Sequence, residues 1–379
     1  MQRLSEREEV ILNTLIGSYV ATGEPVGSRT ISKSGLGLSS ATVRKSMADL
    51  EEEGSLSHPH ISAGRVPTDR GYRYYVDLLM SQDELVENER RRIRDSMAAR
   101  VREGNIESLL EQVSRVIADI SKNLGVALTP SFERGIFQHL EMVHLSESKL
   151  LLVLTIKSGL VKTMVMEVDA RVDADDLEAT RRLINERLSG LTIGDILTNV
   201  SERLEISSEG SPKLLRLICD SADSLFEFSS EEDLHLVGTG NFFLQPEFSE
   251  NRDQLARLYQ LFEERSQMTA ILNDRMGEGI AITIGGENES PELSGCSLLT
   301  SKYRMGNVTG VIGLMGPTRL AYAKMVPLIS YMASLTENLL EEKFEGIDKR
   351  KWFCPWCGVA QYYDKSDFMG RTLQTKNDK

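Results

Sequence analysis

Apolar positions near the amino end recur at helical spacing: Val10, Ile11, Leu12, Leu15 and Ile16 follow a Ser5-Glu-Arg-Glu8 run of capping-box form. A first helix is therefore expected from about Glu6 to Tyr19, broken by "ATGEPVG". Ser28 can cap a short second helix through Lys33, which "SGLG" stops. Ser39-Ser40 can cap a third, Ala41 to Glu53, which Gly54 ends. "SLSHPHISAGRVP" alternates poorly and is rich in turn formers, so it reads as a two-stranded ribbon with an exposed tip. Thr68 then caps a fourth helix through Leu79. Three helices, a ribbon and a helix thus fill residues 1–80.

The pattern changes beyond that point. Residues 81–103 are charged nearly throughout and read as a linker helix. From Ile106 to Leu124, apolar residues at three- and four-residue steps predict a strongly amphipathic helix. Strands are expected at "GIFQHLEMVHL", "LLLVLTI" and "VKTMVMEVD", and a helix from Asp173 to Leu188. Residues 190–262 mix helices with a "LHLVGTGNFF" strand-turn. "GIAITIGGE", "CSLLTSKY" and "TGVIGLMGP" resume the β pattern before a long helix from Thr318 to Phe344. The expected class is α+β, with an insertion (172–262) between two sheet-forming halves (104–171 and 263–345) and a tail, 346–379, of no clear pattern.

A chain of 379 residues has room for about two or three domains. No segment approaches about 18 consecutive apolar residues, and the amino end lacks a secretory pattern. Four cysteines do not make a disulfide framework. A soluble, cytoplasmic protein with no membrane partner is expected. The net charge of −13 argues against nucleic acid only when taken globally. Residues 1–80 hold 9 basic and 10 acidic side chains, which leaves −12 on the remainder. Within them, Ser28 to Ser46 carries Arg29, Lys33, Arg44 and Lys45 with no acid, and Ser55 to Arg73 carries Arg65, Arg70 and Arg73 against Asp69. Local sign decides what a surface attracts.

With Val43, Met47 and Leu50 packed inward, about 100° per residue turns Ala41, Arg44, Lys45 and Ala48 outward on the third helix. Two small residues allow close backbone approach. Two cations sit between them, and Ser39, Ser40 and Thr42 bring hydroxyls to a positive helix end. Such a face suits phosphates and base edges in a major groove. In the ribbon, Arg65 on its Gly-turn, flanked by His58 and His60, forms a flexible wing suited to a minor groove or to phosphate. Arg70 and Arg73 on the fourth helix can reach the DNA backbone. The two histidines are not expected to bind metal, because nothing nearby completes a site.

"SSATVRKSMADLEEEG", "SAGRVPTDRGYRYYVD" and "GPTRLAYAKMVPLI" resemble the HrcA family of heat-inducible transcription repressors, a resemblance that runs to about Phe344. It implies a winged helix-turn-helix domain followed by a GAF-like domain with an inserted dimerisation domain. It also implies binding as a dimer to an inverted repeat upstream of chaperone operons, release on heat stress, and the chaperonin as the partner that promotes activity. Members of the family often have Asn where this chain has Lys45, so the base read at that position is open.

Other chemistry in the sequence is weaker. Cys354-Pro-Trp-Cys357 supplies two of the four ligands that a structural zinc site wants, and a zinc- or redox-responsive regulator is one alternative reading. A regulator whose GAF-like part binds a metabolite is another. His139 and His144 fall on opposite faces of a strand. "GTG" at 238–240 and "IGG" at 284–286 lack the context of a dinucleotide site. Neither an enzyme nor a bound cofactor is expected.

Overall fold

The computed structural model describes residues 3–59, 64–81, 83–101, 106–130, 132–157, 161–168, 172–205, 210–226, 233–249, 251–274, 279–345, 352–353 and 360–361. Helix α1 (Glu6–Thr22) opens with the expected capping box: Glu8 Oε2 accepts from the Ser5 amide at 2.8 Å. It runs a turn further than expected and ends at Gly23, in the left-handed region at φ 75°. Its Ile11, Leu12, Leu15 and Ile16 are buried against α2 (Ser28–Ser32) and α3 (Ser40–Glu52). Gly27 rather than Ser28 is the cap of α2; the Ser28 hydroxyl instead lies 3.1 Å from that of Ser40 and ties the two helix starts together. Strands β1 (Leu56–Ser57) and β2 (Val66–Pro67) pair antiparallel. Helix α4 (Asp69–Tyr74) is capped by Thr68 and passes into a wider π turn over Tyr75–Leu79 instead of continuing as one α-helix. Gly71 is required in α4, because a Cβ there would meet the Ser55 carbonyl.

Helix α5 (Glu87–Val101) is the charged linker, and of its side chains only Ile93 and Met97 are buried among the described residues. Helix α6 (Ile106–Ser121) buries Leu109, Leu110, Val113, Val116 and Ile117. The apolar spacing predicts this helix to Leu124. The structure ends it at Ser121, with Lys122 at φ 57°, and starts strand β3 (Leu124–Leu128). All five residues of β3 are buried, and a strand covered on both faces has no alternation to betray it.

The chain then forms a meander, β4 (Phe137–Ser146), β5 (Lys149–Ile156) and β6 (Val161–Glu167), antiparallel in that order. Helices α7 (Ala174–Leu188), α8 (Ile193–Glu205), α9 (Pro212–Asp220) and α10 (Ala222–Phe226) follow. Helix α7 packs along β4, and Asn185 bonds both backbone groups of Leu140 on that edge strand, at 2.7 and 2.9 Å. Strand β7 (Leu234–Val237) comes next, with α11 (Thr239–Phe243), α12 (Pro246–Ser249), α13 (Arg252–Glu263) and α14 (Arg265–Asp274). The chain closes with β8 (Ile280–Ile284), β9 (Cys296–Met305), β10 (Val308–Pro317) and α15 (Tyr322–Glu345). Five strands make one sheet in the order β7-β3-β10-β9-β8, so the unforeseen β3 lies inside it. Phe242, Phe248, Phe262, Met268, Leu298 and Met315 pack on that sheet as one core.

Two compact units result, and the architecture is α+β. One holds residues 1–129, 231–303 and 310–336; the other holds 130–230 and 304–309, with the last turns of α15. The sequence pattern predicts the meander as part of the first sheet half and an insertion at 172–262. In the structure the meander groups with α7–α10, and α11–α14 group with the five-stranded sheet. Alternation identifies a strand but not the sheet it joins. Among the described residues, no helix is long and apolar enough to cross a membrane.

Candidate nucleic-acid interface

Helix α3 presents the face expected of it. Ser39 caps it, its Oγ accepting from the Thr42 amide at 3.1 Å and lying 2.9 Å from the Thr42 hydroxyl. Val43, Met47 and Leu50 are buried, while Ala41, Arg44 and Lys45 are exposed and Ala48 is half-buried. The first turn carries no acid, so the positive helix end is uncompensated within α3. Among the described residues, Arg44 and Lys45 enter no ion pair. Arg29 is exposed on neighbouring α2, and Arg70 is exposed on α4.

The ribbon departs from expectation. Arg65 is held by backbone pairing rather than free on a turn. Its backbone exchanges two hydrogen bonds of 2.9 Å with Val26, and Gly64 beside it lies too close to Val26 for any Cβ. Ser57 faces Val66, so the next step of the register brings His58 opposite Arg65. The two side chains meet there and share Glu51, from the last turns of α3. Arg65 donates to Glu51 Oε2 at 2.8 Å and to His58 Nε2, and His58 Nδ1 donates to Glu51 Oε1. Arg65 is thereby engaged, with its side chain only 18% exposed. Glu51 was not foreseen; the sole signal for it is an acid late in α3 beside a basic ribbon. His60 lies outside the described residues. Glu51→Gln removes an anion from this face and loosens its hold on Arg65. The variant is expected to bind any duplex more tightly at low salt, as fluorescence anisotropy on an unrelated sequence would measure.

Arg73 was expected on the DNA side of α4 and points elsewhere. Its Nε and NH2 donate to the two carboxylate oxygens of Glu287 at 2.8 and 2.5 Å, NH2 also to the Ile282 carbonyl at 2.7 Å, and NH1 to Asp77 at 3.0 Å. Hydrogen bonding to Glu287 raises the Arg73 pKa above its already high value, with burial opposing. Burial acts to raise the Glu287 carboxyl, but hydrogen bonds from Arg73 and the Ile284 amide outweigh it and hold the group below the ordinary carboxylate range. One turn earlier, Asp69 accepts from the Gly286 amide at 2.8 Å. Between them Tyr72 is buried, its ring 5.8 Å from that of Tyr322, whose hydroxyl meets Ser297 at 2.6 Å and Thr318 at 2.8 Å. Arg319 holds Glu247 at 2.6 Å and reaches the Val20 carbonyl near the end of α1 at 3.3 Å. No sequence pattern links residues more than 200 positions apart, so this joint was invisible beforehand.

The Tyr72 hydroxyl is buried, with no hydrogen-bond partner among the described residues. Leaving such a group unmet costs about 1–3 kcal/mol. Tyr72→Phe is therefore expected to raise the midpoint of thermal unfolding, as calorimetry would show.

Among the described residues, no group of three or more potential metal ligands comes together. Cys354 and Cys357 lie outside the described residues, between the short paired segments Trp352–Phe353 and Ala360–Gln361. Cys296 is buried, and burial pushes its thiol up to about 12, which suits a packed core side chain.

Residues 107–326 match the family model described as the HrcA protein C terminal domain. The chain is 39% identical over 345 residues to the heat-inducible transcription repressor HrcA of Geobacter sulfurreducens, covering 90% of this chain and 99% of that one. It is 38% identical over 342 residues to the protein of the same name from Acetivibrio thermocellus, covering 89% and 97%. A crystal structure described as that of a hypothetical protein shares the fold, with TM-score 0.55 at 22% identity over 90% of this chain and 99% of that one. The chain belongs to the HrcA family of heat-inducible transcription repressors.

Proposed function

We propose that this protein represses chaperone operons by binding an inverted-repeat operator as a homodimer and letting go on heat stress. In this reading residues 1–80 work as a winged helix-turn-helix: α3 enters the major groove, and the β1–β2 ribbon is the wing beside it. Arg44, Lys45, Ser39, Ser40 and Thr42 supply the groove and phosphate contacts, with Arg29, Arg70 and the His58–Arg65 side of the ribbon on flanking backbone. Arg73 is left out, because Glu287 holds it. The observation that carries the reading is the outer face of α3, where two exposed cations flanked by small residues follow a serine-capped, acid-free helix start.

The five-stranded sheet with α6 and α15 serves as the GAF-like body, and the meander unit serves for dimerisation. The outward face of the meander supports that role. Val143 pairs with Leu151 and Leu151 with Val165, making an apolar row across three strands. Val143 is 49% and Val165 52% exposed, with Leu145 and Val161 exposed beside them. An apolar sheet face open to water is suited to a second copy of itself, because two-fold symmetry makes the patch self-complementary. In this reading the chaperonin is the partner that promotes the binding-competent form.

Temperature tests the proposal. Binding to an inverted-repeat duplex, followed by mobility shift as temperature rises, should collapse over a narrow interval in step with loss of the dimer, and added chaperonin should restore it. Retention of operator through that interval by an intact dimer would reject heat release as the mode of action.

A further inference from the structure

The N-terminal module is not left to swing on the α5 linker; α4 and the end of α1 are bonded into the body. Arg73 makes three hydrogen bonds there and a fourth to Asp77 in its own module, and only 20% of its side chain stays exposed. Asp69 takes the Gly286 amide. The loop that supplies these partners is itself braced: Asn288 Nδ2 lies within 3.1 Å of the carbonyls of Gly285, Leu293 and Cys296, and the Glu287 carboxylate also accepts from the Ile284 amide at 2.9 Å. A bidentate arginine–carboxylate pair fixes angle as well as distance, because two planar groups must align. Tyr72 against Tyr322 packs the middle, and Arg319 on the Val20 carbonyl holds the far side. A loose tether needs none of this.

We infer that Arg73 and Glu287 are positioning residues that select the spacing between operator half-sites. The inference rests on the proposed dimeric binding to an inverted repeat. A module locked to its body takes its separation from the pairing of the bodies and accepts one arrangement of half-sites. A module released from the joint takes its separation from the DNA and accepts many. Contact with a single half-site is made by α3 and the ribbon, so it is the same in both states.

The test is a set of inverted-repeat duplexes whose spacer grows stepwise across one helical turn, about 10 base pairs, titrated with the full chain alongside a single half-site. The wild type should peak at one spacing and lose roughly 10²-fold away from it, the lower end of what two linked contacts contribute together. Glu287→Gln keeps the shape of the side chain but not the charge. It should flatten that profile to a few-fold while binding the single half-site as the wild type does. Arg73→Lys, which keeps the charge without the fork, should flatten it in part. Thermal unfolding of each variant shows that the fold is kept. An unflattened profile for a folded Glu287→Gln overturns the inference while leaving dimeric binding intact. So does a uniform loss at every spacing confined to Arg73→Lys, which would put Arg73 on the DNA backbone. A wild type indifferent to spacing and to the palindrome removes the dimeric reading itself.

Discussion

Replacing Arg44 and Lys45 together by alanine should all but abolish preference for the operator while leaving the protein folded. Both side chains are exposed on α3 and neither is paired within the described structure, so their loss costs no internal bond. Where one of them makes a bidentate contact to a base edge, its loss costs about 1–3 kcal/mol and relaxes specificity at that position. Where it neutralises a phosphate, binding weakens on every sequence and the salt slope falls by about one. Single variants titrated against operator and scrambled duplex at several salt concentrations separate the two roles. Arg44 lies one turn in from the cap, on the face shared with Ala41 and Ala48, and is expected to be the base reader. Unchanged binding by both single variants would mean that α3 is not the reading element.

Val165→Asp, at the β6 end of the exposed row of the meander, should split the dimer. Two copies of the patch would bring two carboxylates face to face in an apolar seam, where unpaired charge is strongly disfavoured. The folded chain should lose little, because Val165 is 52% exposed. Splitting the dimer removes the gain from two linked half-site contacts, roughly 10²–10⁴-fold in tethered systems. Sedimentation should then show single chains, and operator affinity should drop to that of a half-site. A dimeric Val165→Asp protein would place the pairing surface elsewhere.

How much could be read ahead depended on whether the information was local. The cap at Ser39, the inward set Val43, Met47 and Leu50, and the outward Arg44 and Lys45 follow from helical period and helix-end chemistry alone, and all stand in the structure. Strand β3 was missed because "LGVAL" is buried on both faces and shows no alternation, and its first residue, Leu124, fits the apolar spacing of α6. Arg65 was placed at the wing tip because composition alone reveals neither the Val26 pairing nor the register that puts it opposite His58. The partner that engages Arg73 lies 214 residues away, beyond the reach of any local pattern. The Ile-Gly-Gly stretch at 284–286, set aside for lacking dinucleotide context, presents the Gly286 amide to Asp69. Local chemistry was legible; long-range pairing was not.

Sedimentation of the purified chain with an inverted-repeat duplex, and with a scrambled duplex of equal length at the same low ionic strength, tests the core of this picture in one experiment. Two chains should travel with each palindrome and far fewer with the scrambled duplex, a contrast that shrinks as salt rises. One chain per duplex, with equal occupancy of both sequences, would contradict it.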